Sequence, residues 1–187
     1  MRIHRRTLLA GPVLAVCGAA MLPRSAWADT SYEINQNVDA ALSNLYSSTP
    51  AAVQLSNNST GVLVFPHIVK AGFLFGGEFG VGALRQGGQT TGYYNIAAAS
   101  YGLQIGVQSF GEALFLMNSK AMSFLNSQGG WQVGVGPSVV VMDQGMARSF
   151  TTATELEDVY AFIFSQEGLM AGMGIQGSKI TQYTPDD

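Results

Sequence analysis

Histidine and cysteine are the first residues to count, because most nucleophilic and metal chemistry depends on them. The chain holds two histidines and one cysteine. His4 and Cys17 lie within the first 28 residues, leaving His67 as the one histidine beyond them. A cysteine nucleophile, a thiolate metal site and a two-histidine zinc site are therefore excluded from residue 29 onward. His67 follows Pro66 in Val64-Phe65-Pro66-His67. That run reads as a strand end, where a histidine is structural or superficial rather than a general base. Acids are sparse: between Glu33 and Asp143 only Asp39, Glu78 and Glu112 occur. Glu155, Glu157 and Asp158 cluster as a solvated loop would. Gly172-Met173-Gly174-Ile175-Gln176-Gly177 matches the glycine spacing of a dinucleotide site, which must leave a strand and open a helix. Here Ser178-Lys179-Ile180-Thr181 continues as strand, so the match is rejected. The residues predict no catalytic site, no metal and no cofactor.

Aromatic residues are the remaining resource for binding. All ten Phe and all seven Tyr lie beyond residue 28, among them Phe73, Phe75, Phe79, Phe110, Phe115, Phe162, Phe164 and the pair Tyr93-Tyr94. Such a set forms a core. Lining a barrel, it could also take an acyl chain, since apolar cavities with few polar groups suit lipids. Both readings stay open.

The elements that carry these residues change period along the chain. Thr30 and Glu33 have capping-box spacing. Ile34, Val38, Leu42 and Leu45 then share one helical face. Thr49-Pro50 suits the cap and first position of a second helix running toward Asn57. From Gly61 the period becomes two, predicting strands over 61–65, 72–84, 91–97, 101–109, 113–117, 131–136, 139–142, 147–152, 159–165, 169–177 and 179–183. Gly87-Gly88 and Gly129-Gly130 mark turns. One helix interrupts, capped by Ser119, with Ala121, Phe124 and Leu125 on its apolar face. The fold class expected is α+β, mostly β: a strongly curved antiparallel sheet or small barrel, with two short N-terminal helices and one inserted helix.

Glycine supports that curvature. Twenty-one of the 23 glycines lie beyond residue 28, about twice average usage. Gly72, Gly76, Gly80 and Gly82 share a strand face with Leu74 and Glu78, opposite Phe73, Phe75, Phe79 and Val81. Gly102, Gln104, Gly106 and Gln108 likewise oppose Leu103, Ile105 and Val107. Gly172, Gly174 and Gln176 oppose Leu169, Ala171, Met173 and Ile175. Strand glycines mark tight bends or close backbone approach, so these small faces serve sheet curvature or a ligand passing over them.

The first 28 residues read as a signal peptide rather than part of the fold. Arg2, His4, Arg5 and Arg6 precede an apolar stretch from Leu8 to about Leu22, after which Pro23-Arg24-Ser25-Ala26-Trp27-Ala28 ends in a small-x-small cleavage pattern. Arg5-Arg6-Thr7-Leu8-Leu9 resembles the twin-arginine form. Pro12 breaks the apolar run, which is too short to span a bilayer well. Cleavage after Ala28 predicts a free periplasmic protein with residues 29–187 as one domain. Leu14-Ala15-Val16-Cys17 is a looser match to a lipoprotein site, and lipidation of Cys17 is the alternative. Four of the nine basic residues leave with the signal, and none of the twelve acidic ones does. The remainder is acidic, which argues against nucleic acid and against charge-driven adhesion to anionic membranes.

From Gly61 to Tyr183 the chain resembles the SYLF-domain family, to which a yeast actin-binding module belongs. The matching stretches are Val62-Leu63-Val64-Phe65-Pro66, Lys70-Ala71-Gly72-Phe73, Gly76-Gly77, Gly80-Val81-Gly82 and Tyr93-Tyr94-Asn95. They continue through Ser100-Tyr101-Gly102-Leu103-Gln104-Ile105-Gly106-Val107-Gln108 and Gly168-Leu169-Met170-Ala171-Gly172, and close on Gln176-Gly177-Ser178-Lys179-Ile180. The resemblance implies a non-catalytic lipid-binding module, with phospholipid or an acyl chain as ligand. The lipid-binding candidates are Lys70, Phe73, Phe75, Phe79, Tyr93, Tyr94, Tyr101 and Lys179. Eukaryotic relatives bind phosphoinositides and actin; bacterial members are exported. The basic N-terminal segment associated with phosphoinositide binding is missing here, since no Lys or Arg lies between Arg24 and Lys70. A structural or protein-interaction module supporting envelope integrity, with an envelope protein as partner, is the alternative function.

Overall fold

Thr30 opens the first helix as its spacing from Glu33 predicts. In the computed structural model, which describes residues 29–73, 75–101, 106–150, 157–168 and 177–187, Glu33 N donates to Thr30 Oγ1 at 3.3 Å and Thr30 N to Glu33 Oε2 at 3.1 Å. The expected signal and all but the last residue of the strand expected at 169–177 lie outside the described residues. Helix α1 spans Ser31–Ser48 and buries Ile34, Val38 and Leu45. Helix α2 spans Pro50–Asn58. Its start owes more to Pro50 than to Thr49, whose side chain makes no capping bond. Helix α3 spans Ser119–Leu125. Its cap is Asn118 rather than Ser119, because Asn118 Oδ1 accepts the Ala121 N–H at 3.0 Å.

Among the described residues eight strands occupy the period-two region: β1 Gly61–Phe73, β2 Phe75–Gln86, β3 Gln89–Tyr101, β4 Gly106–Leu116, β5 Trp131–Gln132, β6 Val139–Met142, β7 Val159–Gly168 and β8 Lys179–Tyr183. Three expectations need correction. Pro66-His67 does not end a strand: β1 runs through it with a shift of register against both neighbours, and a bulge is where a sheet tolerates proline. The stretch 72–84 is not one strand, since the β1–β2 hairpin turns inside it, pairing Phe73 with Phe75. The segment expected as strand 147–152 instead opens as helix α4, Gln144–Ser149. Asp143 Oδ1 accepts the Met146 N–H at 2.8 Å and starts that helix.

The sheet order is β5-β8-β3-β2-β1-β4-β7-β6. Every pair is antiparallel except β6–β7, where α4 supplies the crossover a parallel pair requires. This order forces the sheet to curl. In a flat sheet, seven spacings of about 4.8 Å would hold the edge strands ~34 Å apart. Yet β5 and β6 are consecutive, and the seven steps from Gln132 to Val139 reach at most about 25 Å. Trp131 from one edge and Val139 from the other accordingly join one interior cluster, with Phe65, Ile96, Leu114 and Ile180. Helix α3 closes that interior with Ala121 and Leu125. On the outer face α1, α2 and α4 cover Val62, Val64, Ala83, Phe115 and Phe162. The result is a curled half-barrel, packed on both faces over the half nearest the helices.

Glycine makes the curl possible at the β1 bulge. A Cβ on Gly82 would collide with the Val64 carbonyl oxygen and come within 2.8 Å of the Phe65 ring. One on Gly80 would stand 2.8 Å from Ile68 Cγ1 and 2.9 Å from the His67 carbonyl oxygen. At these two positions the small face exists for close backbone approach. Asp158, expected in a solvated loop, instead ties three segments together. It accepts from Asn118 Nδ2 at 2.8 Å, Lys120 Nζ at 2.6 Å and Ser138 N at 2.9 Å.

Candidate functional site

Beyond the bulge, the half of the sheet away from the helices carries two contrasting faces. Strand alternation sorts its residues cleanly. Inward, the register aligns Ala98, Glu78, Lys70, Gln108 and Gly168 across β3, β2, β1, β4 and β7. Lys70 and Gln108 are buried there. Ser178 is buried too and donates to Glu78 Oε1 at 2.5 Å, reaching past the small Ala98. Two inward positions from Gln108, Glu112 faces Phe65 and Ile163. It is 1 % exposed, and its Oε1 has no hydrogen-bond partner among the described residues. Burial, with the charge of Glu78 adding to it, pushes its carboxyl up to about 8. Glu112 is thus a neutral acid at pH 7.

Outward, the next row aligns Lys179, Ala97, Phe79, Val69, Ser109 and Glu167. Beside it run Ala99, Gly77, Ala71 and Val107. No helix lies over this part of the sheet among the described residues. Val69 is 48 %, Phe79 54 % and Val107 61 % exposed, with Ala71, Ala97 and Ala99 open beside them. Scattered apolar residues need no explanation, but adjoining rows of them mark a contact surface.

Residues 97–186 match the family profile described as Ysc84, Las17-binding protein actin regulator. Over those residues the Ysc84, or SYLF, match agrees with the resemblance carried by the sequence motifs. No curated protein matches the chain. The matched stretch begins inside β3 and runs through β8, and its strands form two separate blocks, β5-β8-β3 and β4-β7-β6. Between β3 and β4 the sheet inserts β2 and β1, so the sheet that holds the matched strands includes residues from Gly61 onward. The family is one of binding modules.

The lipid-binding candidates do not form one site on this sheet. Phe79 and Lys179 share the outward row, separated by Ala97. Phe73, Phe75 and Tyr101 follow one another in register at the far end of the same half-sheet. Lys70 is on the opposite, inward face against Glu78. Tyr94 is buried in the interior, and its hydroxyl donates to Asn126 Oδ1 at 3.0 Å. Tyr93 is half-buried beneath α1, where its hydroxyl accepts from Asn35 Nδ2 at 2.9 Å. Adjacent tyrosines in a strand point to opposite faces, so 93 and 94 were bound to separate. Three residues of these faces are not among the candidates legible in sequence: Val107, which alternation places merely on an apolar strand face, Glu112 and Val69. Glu112 reads in sequence as one of a few scattered acids, and Val69 follows a bulge that shifts the alternation of β1.

Proposed function

We propose that this chain is an exported, non-catalytic lipid-binding domain that meets a bilayer with the outward apolar face of its half-barrel. The observation that carries the reading is the exposure of Val69, Phe79 and Val107 side by side on one unhelmeted sheet face. Two further observations support an external rather than an internal lipid contact. Trp131, Phe65, Leu114 and Leu125 fill the interior at no more than 1 % exposure, which leaves an acyl chain no room among them. The apolar side of α1 is spent on the sheet through Ile34, Val38 and Leu45, so α1 does not serve as a membrane-lying helix. Among the described residues no helix is long and apolar enough to cross a membrane. The contact is therefore hydrophobic and peripheral. Twin-arginine export and a periplasmic address rest on residues 2–28.

Vesicle flotation tests the reading. The protein should float with phosphatidylethanolamine–phosphatidylglycerol vesicles, largely independent of salt. F79S/V107S, which alters only exposed positions, should lose at least tenfold in affinity, since each buried side chain of this size is worth about 2 kcal/mol. Equal flotation of both proteins, or none by either, would overturn it. Cell fractionation of R5K/R6K should find uncleaved precursor inside the cell. A second reading has its own support: the filled interior and the family description, which names a protein ligand. On it the same face docks an envelope protein, and crosslinking from position 79 would capture one partner in the absence of vesicle binding.

A further inference from the structure

A groove lies apart from both faces of the outer half-sheet. It runs between the α1–α2 pair and the β2–β3 turn and encloses about 510 Å3, the size of a small-molecule site. Its helical wall presents Ser43, Tyr46 and Asn57; its strand wall presents Thr60 and Arg85. Gly87 and Gly88 form one end with φ of +56° and +81°, and nothing stands within 4 Å of where their Cβ atoms would be. The Ser43 hydroxyl and Asn57 amide would go unmatched against an acyl chain, while the Tyr46 and Thr60 hydroxyls, which donate to Ser56 Oγ at 2.9 Å and the Met117 carbonyl oxygen at 3.4 Å, keep lone pairs to offer. They suit a ligand that is itself rich in hydroxyls.

Arg85 adds a charge and an unmet demand. Its side chain is 14 % exposed. Both of its hydrogen bonds leave from Nη2, to the Asn35 carbonyl oxygen at 3.2 Å and to Asp39 Oδ1 at 2.6 Å. Nε is buried with no partner among the described residues, although a guanidinium carries five donors in a rigid fork. Asp39 meets this fork at Nη2 alone, with a side chain 69 % exposed. Swinging Asp39 into solvent frees Nη2 of its carboxylate, and Nη2 together with the unpartnered Nε forms the guanidinium edge that can offer parallel donors to one carboxylate. We propose that the groove binds a saccharide bearing a carboxylate, which replaces Asp39 on Arg85 while the sugar hydroxyls meet Ser43, Tyr46, Asn57 and Thr60. A cationic ligand would be repelled by Arg85, and a neutral sugar would leave Nε unmet.

Titration of the full chain, 15N-labelled, with D-glucuronate, D-glucose and acetate tests this by NMR. Glucuronate should shift the amides of 57–61 and 85–88 saturably, binding at least tenfold more tightly than glucose or acetate. R85Q should abolish that preference over glucose. D39N, which leaves Arg85 in place without its competing carboxylate, should tighten glucuronate several-fold. S43W alters an exposed helix position and should block the groove even if R85Q proves unstable. No saturable shift with glucuronate, acetate binding as tightly as glucuronate, or full affinity in S43W would each overturn the proposal. Vesicle flotation of S43W should match the unaltered protein, so the groove and the apolar face are tested separately.

Discussion

Replacing Glu112 by Gln should make the protein markedly less sensitive to rising pH. Glu112 is fully enclosed, opposite Phe65 and Ile163. Burial raises its carboxyl from 4.5 to about 8. A group whose folded value lies above its unfolded one holds an extra proton in the folded state between the two. Its contribution is present in full below pH 4.5 and is lost as pH rises toward 8. The loss is about 1.4 kcal/mol per pH unit until the folded-state value is neared, hence about 3 kcal/mol by pH 7 and about 4 kcal/mol by pH 8. For a domain whose total stability is of order 5–15 kcal/mol, that is a large fraction. Gln is neutral and nearly isosteric, so E112Q keeps the shape and removes the titration. Urea unfolding followed by fluorescence of the buried Trp131 at pH 5, 6, 7 and 8 measures both proteins. The difference between them cancels every other titrating group. E112Q should match the unaltered protein near pH 5 and exceed it by about 4 kcal/mol at pH 8. Parallel stability curves would refute the reasoning, because Glu112 would then ionise alike in both states.

Other substitutions probe the curl and its ties. G82A should destabilise by about 2–3 kcal/mol in urea, because its Cβ collides with the Val64 carbonyl oxygen and the bulge has no slack to yield. D158A should lose about 2–3 kcal/mol, since it unties Asn118, Lys120 and Ser138 together. Hydrogen bonds from Lys120, then Asn118, then the Ser138 N–H hold the Asp158 carboxyl well below the usual carboxylate range. Its contribution is therefore present above pH 4 and lost as pH falls further, opposite to Glu112, and acid unfolding of D158N should show a shallower pH dependence. T30A should cost about 1 kcal/mol by removing the capping box of α1, measurable by thermal unfolding.

Much of the fold was legible because its signals are local. Thr30 and Glu33 meet across three residues, and Gly87-Gly88 reverse the chain by their own φ angles. The two faces of β2 follow from alternation alone, and the register bears them out from Phe75 to Leu84. What failed were continuities and caps. Pro66-His67 resembles a strand end, because proline withholds a donor wherever it stands. Only two neighbouring strands, each slipping register at that point, make it a bulge. Asn118 and Ser119 are both competent caps, and the choice fell to Asn118, whose side chain also reaches Asp158 forty residues on.

The candidate site divides along the same line. Without any structure, the residue count excludes thiolate and two-histidine chemistry beyond residue 28, where one histidine and no cysteine occur. Alternation likewise separates the glycine face from the phenylalanine face, since successive side chains leave a strand on opposite sides whatever the sheet does. Which of those faces turns inward is not a local matter. It was decided by the sheet order and by the short β5–β6 link that draws the two edges together. That closure buried Lys70, Gln108 and Glu112 and left Val69, Phe79 and Val107 in the open. Burial depends on what other segments place around a residue, and those segments lie tens of residues away.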